Sequence, residues 1–396
     1  MNLDVKKLSE KETPYYLYDL ELLEKTLQCI RLILQDYPNY HVHYAIKANA
    51  NPLLLNVIRK YGLGVDCVSG GEITASVKAG FPSNSIVFAG VGKTDREIDT
   101  ALENDIFSFN IESIEELDVV NERASLKNKT ARVCLRINPD VDAHTHANIT
   151  TGLAENKFGL SKDRINDWIS YAQSLSNIEL TGLHFHIGSQ LLDMEPYKML
   201  CKEINDIQER LESQDVRLKV INVGGGLGVD YENPNAHPIP DFKSYFSTFS
   251  ENLCLKEGQE LHFELGRSIV AQCGSLITKT LYVKKGALKK HVIVDAGMTE
   301  LIRPALYDAF HKIENLSKAG NIRLSDSAKE SVAKDTYDIV GPICESSDVF
   351  VEDYTMNETS RGDILAIRSA GAYGETMSST YNLRPLAKSY ALNDFV

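Results

Sequence analysis

Lys47 ends an apolar run, Tyr44-Ala45-Ile46-Lys47-Ala48-Asn49. An ammonium is costly to bury there, and desolvation lowers its pKa, which suits a Schiff-base nucleophile. The plainer reading is a lysine reaching solvent from a strand end. Glu264, in Glu264-Leu265-Gly266-Arg267, offers a carboxylate that can accept a hydrogen bond from a protonated pyridine nitrogen. An ordinary Glu–Arg ion pair is its alternative. His184 and His186 stand two apart, so a strand puts both on one face, able to hold a metal or to lie over a ring. Gly224-Gly225-Gly226 allows close backbone approach to a phosphate, although most glycine runs are only turns. Cys344-Glu345 pairs a possible proton donor with a carboxylate, and most free cysteines are simply small hydrophobes. Arg303, in Arg303-Pro304-Ala305-Leu306-Tyr307, offers a fork for a carboxylate, or only a surface turn.

These groups need elements to hold them. Eight β-like runs recur with helix-like stretches between: Val42–Ile46, Gly64–Val68, Ile86–Ala89, Phe107–Asn110, Val133–Ile137, Gly182–His186, Val220–Val223 and His262–Glu264. Leu53–Tyr61 and Glu72–Ala79 carry apolar residues at helical spacing. This pattern predicts an α/β fold with a (β/α)8 TIM-like barrel, with a doubly wound open sheet as the alternative. After Arg267 strand-like runs dominate: Ser275–Val283, Val292–Asp295, Thr336–Val340 and Asp363–Arg368. They predict a mostly β C-terminal domain. The expected division is a barrel over 22–268 and a β domain over 269–396, joined by an N-terminal strand in 1–21.

Barrel enzymes carry their catalytic groups at the C-terminal ends of strands, where most of these candidates fall. Together they supply a Schiff-base lysine, a phosphate cradle, a pyridine partner and a ring cover. Those are the parts a pyridoxal 5'-phosphate (PLP) site needs.

The 396 residues carry a net charge of -13 with 43% hydrophobic residues, and no basic stripe suggests nucleic acid as a partner. No apolar run approaches a bilayer-spanning length, and Met1–Glu12 lacks the apolar core of a signal peptide. Seven scattered cysteines with no CxxC pair argue for a reducing, cytoplasmic compartment and against a structural zinc site.

From about Tyr15 to Ala387 the chain closely resembles the diaminopimelate decarboxylases, whose fold is that of the alanine-racemase-like PLP enzymes. The resemblance rests on Tyr44–Asn49, Ile137–His146, Glu155–Gly159, Gly182–Gln190, Asn222–Tyr231, Glu264–Arg267, Gly341–Phe350 and Ser369–Arg384. It implies that Lys47 bonds PLP covalently, Glu264 faces the pyridine nitrogen and His186 stacks on the ring. It also implies that Gly225, Gly226, Gly266 and Arg267 line the phosphate cradle with Ser189 near, and that Tyr373 touches cofactor and substrate. Cys344 and Glu345 would cross the interface of a homodimer with shared active sites. One departure stands out: the family's usual Glu-Pro-Gly-Arg is here Glu264-Leu265-Gly266-Arg267, which frees a backbone φ and restores an N–H.

The implied reaction is decarboxylation of meso-2,6-diaminopimelate to L-lysine and CO2, the last step of lysine biosynthesis. The distal end of that substrate carries its own carboxylate and ammonium. The resemblance assigns the carboxylate to Arg267, Arg303 and Tyr307, and the ammonium to Glu345. Ornithine has no distal carboxylate and would leave two arginines unpaired in a desolvated pocket. Lys47 and Cys344 are both candidates to return a proton to Cα; the residues alone do not choose, and the resemblance favours Cys344. The alternatives are a decarboxylase of ornithine, arginine or carboxynorspermidine, a racemase, a metal-dependent barrel hydrolase using His184 and His186, and an inactive homologue. Asp140–Gly152, polar and His-rich, is a candidate lid.

Overall fold

The computed structural model describes residues 5–141, 157–318 and 333–395. The chain forms two compact units. One comprises Leu27–Gly228 and Asp241–Gly266; the other comprises Met1–Thr26, Val229–Pro240 and Arg267–Val396. The segment Val229–Pro240 therefore clusters with the C-terminal unit, although a linear division at 268 leaves it with the barrel.

Strand β1 (Tyr15–Tyr18) belongs to the second unit. The first unit holds β2 (Tyr40–Ala45), β3 (Gly64–Cys67), β4 (Ile86–Phe88), β5 (Ser108–Ile111) and β6 (Ala131–Asn138). It continues with β7 (Leu160–Ser161), β8 (Ile178–His184), β9 (Val220–Asn222) and β10 (Glu260–Leu265). Apart from the short side strand β7, these pair in parallel as one closed ring. β10 joins β2, and β5 joins β6, so there is no open edge of the kind a doubly wound sheet would show. Each of the eight runs expected from the sequence contributes one barrel strand. β8, however, ends at His184 and leaves His186 in the following loop.

Alternation along the strands separates two environments. On β2, Tyr40 faces outward and packs against Phe246 and Phe263, beneath the helix Phe242–Asn252. His43 points inward, where its Nε2 lies 2.8 Å from Nδ1 of His262 on β10. Phe263 is fully buried among Tyr245, Phe246 and Phe249. Trimming such a ring to alanine costs about 3–5 kcal/mol. The surrounding helices begin where the sequence provides caps. Asn51 precedes Pro52, Ser69 caps Gly70–Ala79, and Thr94 forms a capping box with Glu97.

In the second unit, β11 (Gly274–Lys285), β12 (Lys290–Val294), β13 (Ile313–Asn315), β14 (Lys334–Val340), β15 (Val349–Asn357) and β16 (Ile364–Ile367) order as β13-β16-β11-β12-β14-β15. β1 pairs with β11 and with β17 (Lys388–Ala391). A core of Leu8, Tyr15, Leu17, Ile277, Leu316, Ile364, Ala366, Leu392 and Phe395 seats the first strand. β13, β15 and β17 are not apparent in the sequence pattern. β15 carries Glu352 and Asp353 mid-strand beside a register irregularity against β14, which breaks the apolar alternation.

Candidate active site

The barrel cluster centres on Glu264, near the end of β10. Its Oε1 accepts from Nδ2 of Asn110 at 2.8 Å and of Asn222 at 2.7 Å, and its Oε2 lies 3.0 Å from Nε2 of His184. Burial alone would raise this carboxyl's pKa. The His184 ring, its hydrogen bond and the Lys47 charge outweigh burial and hold it well below the usual range. Those three bonds use three of a carboxylate's roughly four acceptor positions, which leaves room for one more donor, such as a protonated ring nitrogen.

Lys47 sits in a three-residue turn, Ile46–Ala48, directly after β2. Its side chain is 40% exposed, so it is not the desolvated strand-end lysine the sequence suggested: the turn lifts it out of the strand. Nζ lies 3.6 Å from Oδ2 of Asp66, which points inward from β3. Asp66 is fully buried, and neither of its carboxylate oxygens has a hydrogen-bond partner. Burial first, and then the Glu264 charge, push its pKa well above the ordinary value, while Lys47 opposes the shift. Gly266 backs onto Ala45 and Ala48, on either side of the lysine.

His186 and the glycine run pack against each other. The Gly225 N–H donates to Nδ1 of His186 at 3.3 Å, which leaves the ring's proton on Nε2. Burial, then the Arg136 charge, lowers this histidine's pKa well below its usual value, so the ring is neutral. A Cβ on Gly225 would collide with the Glu264 carbonyl oxygen. On Gly226, at φ +109°, it would meet the Tyr197 hydroxyl at 2.8 Å and the Gly188 carbonyl at 2.9 Å. The Tyr197 hydroxyl is buried without a hydrogen-bond partner, as expected of a donor awaiting an anion beside this backbone. The loop bearing Ser189 is tied to the glycine run by Leu191 N–H donating to the Gly226 carbonyl at 2.9 Å. The deep anionic partner, the lysine, the flat neutral ring and the glycine cradle all fit PLP.

His184 and His186 do not form a metal pair. With His186 beyond the strand, one ring turns to Glu264 and the other to Gly225. Asp66, Asn110, Asn222, Tyr197 and Arg136 went unnoticed in the sequence. Alternation within the expected strands offered the only signal for Asp66 and Asn110, and it does not distinguish them from any other inward residue.

The second unit holds its own cluster. The Tyr231 hydroxyl accepts from Nη1 of Arg267 at 2.8 Å and from Nη1 of Arg303 at 2.9 Å, and both guanidinium groups are buried. Burial opposes ionisation of the phenol, but the two arginines outweigh it and lower the Tyr231 pKa. Burial, and then the neighbouring Arg267, lowers the pKa of Arg303. Nε2 of His311 accepts from Arg303 at 2.8 Å, because its Nδ1–H is committed to the Arg368 carbonyl at 2.8 Å. Arg267 lies 4.9 Å from the ring centre of Tyr373, whose φ is +56°. Tyr307, half-buried, ends the short helix that begins at Arg303. Such a cluster is built to receive an anion.

Cys344 and Glu345 are both exposed on this chain. Their loop is shaped by Asp348, which accepts from the N–H groups of Met298 at 2.6 Å and Ile343 at 2.7 Å. The Tyr381 hydroxyl donates to Glu345 at 2.5 Å. Leu265, at the position of the family's proline, is buried and paired with Tyr44. Most of the candidate lid, from 142 to 152, lies outside the described residues, as do parts of the 137–146 and 155–159 motifs.

A family model described as pyridoxal-dependent decarboxylase, pyridoxal binding domain, matches residues 23–271. A diaminopimelate decarboxylase of Bacteroides thetaiotaomicron is 56% identical over 392 residues, 99% of this chain and 98% of that protein. One from Aquifex aeolicus is 40% identical over 95% of this chain and 85% of its own length. The crystal structure of diaminopimelate decarboxylase from Helicobacter pylori complexed with L-lysine superposes with a TM-score of 0.89 at 38% identity, covering 99% of this chain and 94% of that one. The closed barrel, the buried carboxylate opposite a turn lysine and these whole-length matches lead to one conclusion: the chain belongs to the diaminopimelate decarboxylase family of pyridoxal-dependent decarboxylases.

Proposed function

We propose that this chain removes one carboxylate of meso-2,6-diaminopimelate, releasing L-lysine and CO2 in the last step of lysine biosynthesis. The observation that carries the choice of substrate is the Tyr231 hydroxyl shared by two buried guanidinium groups, 2.8 Å from Arg267 and 2.9 Å from Arg303. A ligand carboxylate would neutralise two cations that otherwise repel. An ornithine side chain would add a third.

PLP, when bound through Lys47, supplies an electron sink for the bond that breaks at Cα. Glu264 holds a proton on the ring nitrogen, because the neighbouring His184 and Lys47 favour its anion against the effect of burial. His184, Asn110 and Asn222 orient that carboxylate. His186 covers the ring face, and its neutral state avoids a second cation there. Gly225, Gly226, Gly266, Arg267 and Ser189 hold the phosphate. Arg303, Tyr307 and Arg267 take the distal carboxylate, Tyr373 packs beside them, and Glu345 takes the distal ammonium. Cys344 delivers a proton to Cα after CO2 has left.

Cys344 and Glu345 serve the partner's site in a homodimer; their exposure on the single chain supports this reading. The functional domains we infer are the cofactor-binding barrel, 22–268, and the β domain, 269–396, with 1–21. Among the described residues no helix is long and apolar enough to cross a membrane, and all seven cysteines are free thiols, which supports a cytoplasmic site of action.

The test is to load the purified protein with PLP and offer it meso-diaminopimelate, ornithine and arginine separately, measuring CO2 and the amine product. Lysine and CO2 from diaminopimelate alone are expected. Preference for ornithine or arginine would overturn the assignment of the arginine cluster while leaving the barrel site intact.

A further inference from the structure

The end of the barrel opposite Lys47, where β2 and β10 begin, carries a second group of side chains that the decarboxylation does not use. His41 on β2 stands in register with His262 on β10, and Glu260 lies two residues before His262 on the same face. Nε2 of His262 is 3.3 Å from Oε2 of Glu260, and Nε2 of His41 is 3.9 Å from Oε1. The potential ligand atoms of the three residues all lie within 4.8 Å of one another. They border a cavity of about 460 Å³, which Arg31 also lines.

The hydrogen bonds behind this trio determine its chemistry. The Ser85 carbonyl can only accept, so Nδ1 of His43, 3.1 Å away, carries a proton and donates. With that proton on Nδ1, the other ring nitrogen of His43 is able to accept. Nδ1 of His262, 2.8 Å from that nitrogen, is placed to donate to it. That arrangement leaves Nε2 of His262 as the ring nitrogen turned toward the Glu260 carboxylate. A cation held there, a metal ion or a proton on Nε2, would bridge the 3.3 Å to Oε2. A histidine whose other ring nitrogen donates to a fixed acceptor is also the usual arrangement behind a metal ligand.

We propose that His41, Glu260 and His262 form a site for a borderline divalent cation of the Zn2+ type. Two imidazoles and one carboxylate suit such an ion at about 2.0–2.2 Å, with water in the fourth position. Both histidines need only close on the ion, and His41 is exposed and has room to turn. Because β2 and β10 are the first and last strands of the ring, the ion would clamp the barrel's closing seam. Groups at this end of a barrel serve stability rather than chemistry, so the ion would raise thermal stability without entering the reaction.

The full-length, PLP-loaded protein would be stripped with chelator and dialysed against Zn2+, and in parallel against Co2+ for its visible absorption. Wild type would be compared with His41→Ala and Glu260→Gln, two changes outside the barrel core. One ion per chain is expected in wild type, with a four-coordinate Co2+ spectrum and a higher Tm with Zn2+. Each variant should bind about tenfold or more weakly, lose the Tm rise and keep decarboxylase activity. Equal binding by all three proteins would place the ion elsewhere, for instance on the exposed thiols Cys254 or Cys344, and overturn the proposal. So would a wild type that takes up no ion.

Discussion

Nε2 of His184 donates to Oε2 of Glu264 across 3.0 Å in the buried centre of the barrel. The contact keeps an anion where burial alone would favour a neutral acid. A histidine that reads in the sequence as a metal ligand or ring cover is thus the orienting partner of a carboxylate.

Glu264→Gln removes the anion and keeps the shape. We expect kcat to fall by about 10²-fold, the scale of losing one pre-organised electrostatic group. The variant also tests the pH dependence. A carboxyl with a depressed folded pKa contributes stability above its unfolded pKa of about 4.3 and loses it as pH falls toward the folded value. Urea midpoints should therefore drop less steeply below about pH 4.3 in Glu264→Gln than in wild type. Parallel curves would mean that Glu264 is not held low.

Arg303→Ala should lower kcat/KM for diaminopimelate by about 10²-fold or more, as expected when one member of a buried charged cluster is lost. Discrimination against ornithine should fall with it; unchanged kinetics would sink the distal-carboxylate assignment. His311 accepts from Arg303 and touches none of the groups that react, so His311→Ala should raise KM by about tenfold and spare kcat. A fall in kcat alone would show that His311 does something other than position the guanidinium.

Gly225→Ala drives a methyl into the Glu264 carbonyl. Overpacking of this kind costs about 1–3 kcal/mol, and here it also pushes the cradle away from β10. We expect a lower Tm together with weaker PLP retention, read from absorbance after dialysis. Wild-type retention would show that the glycine run has no part in holding the phosphate.

Lys47→Ala and Cys344→Ala should each be nearly inactive alone. If sites are shared across a homodimer, co-refolding the two in equal amounts should restore about a quarter of wild-type activity: half of the dimers are mixed, and each of those has one intact site. No recovery would mean that Lys47 and Cys344 act within a single chain.

The residue order by itself was enough for the barrel, because eight strand-length apolar runs separated by helical periodicity admit few other folds. It also brought out Lys47, Glu264 and the glycine run, whose residue types are unusual at strand ends. The tertiary structure decided what surrounds them. Asn110 and Asn222 are ordinary inward residues until ring closure brings their strands around one carboxylate, and so is Asp66 until it meets Lys47. Tyr231 and His311 lie in segments with no periodic signal, yet they hold the two arginines. His184 and His186 looked equivalent because alternation presumes that the strand continues. β8 stops at His184, and that one-residue fact of backbone geometry sends the two rings to different partners. Local pattern encodes which face a residue takes, whereas the identity of its partner depends on chain segments dozens to hundreds of positions away, and only folding brings these together.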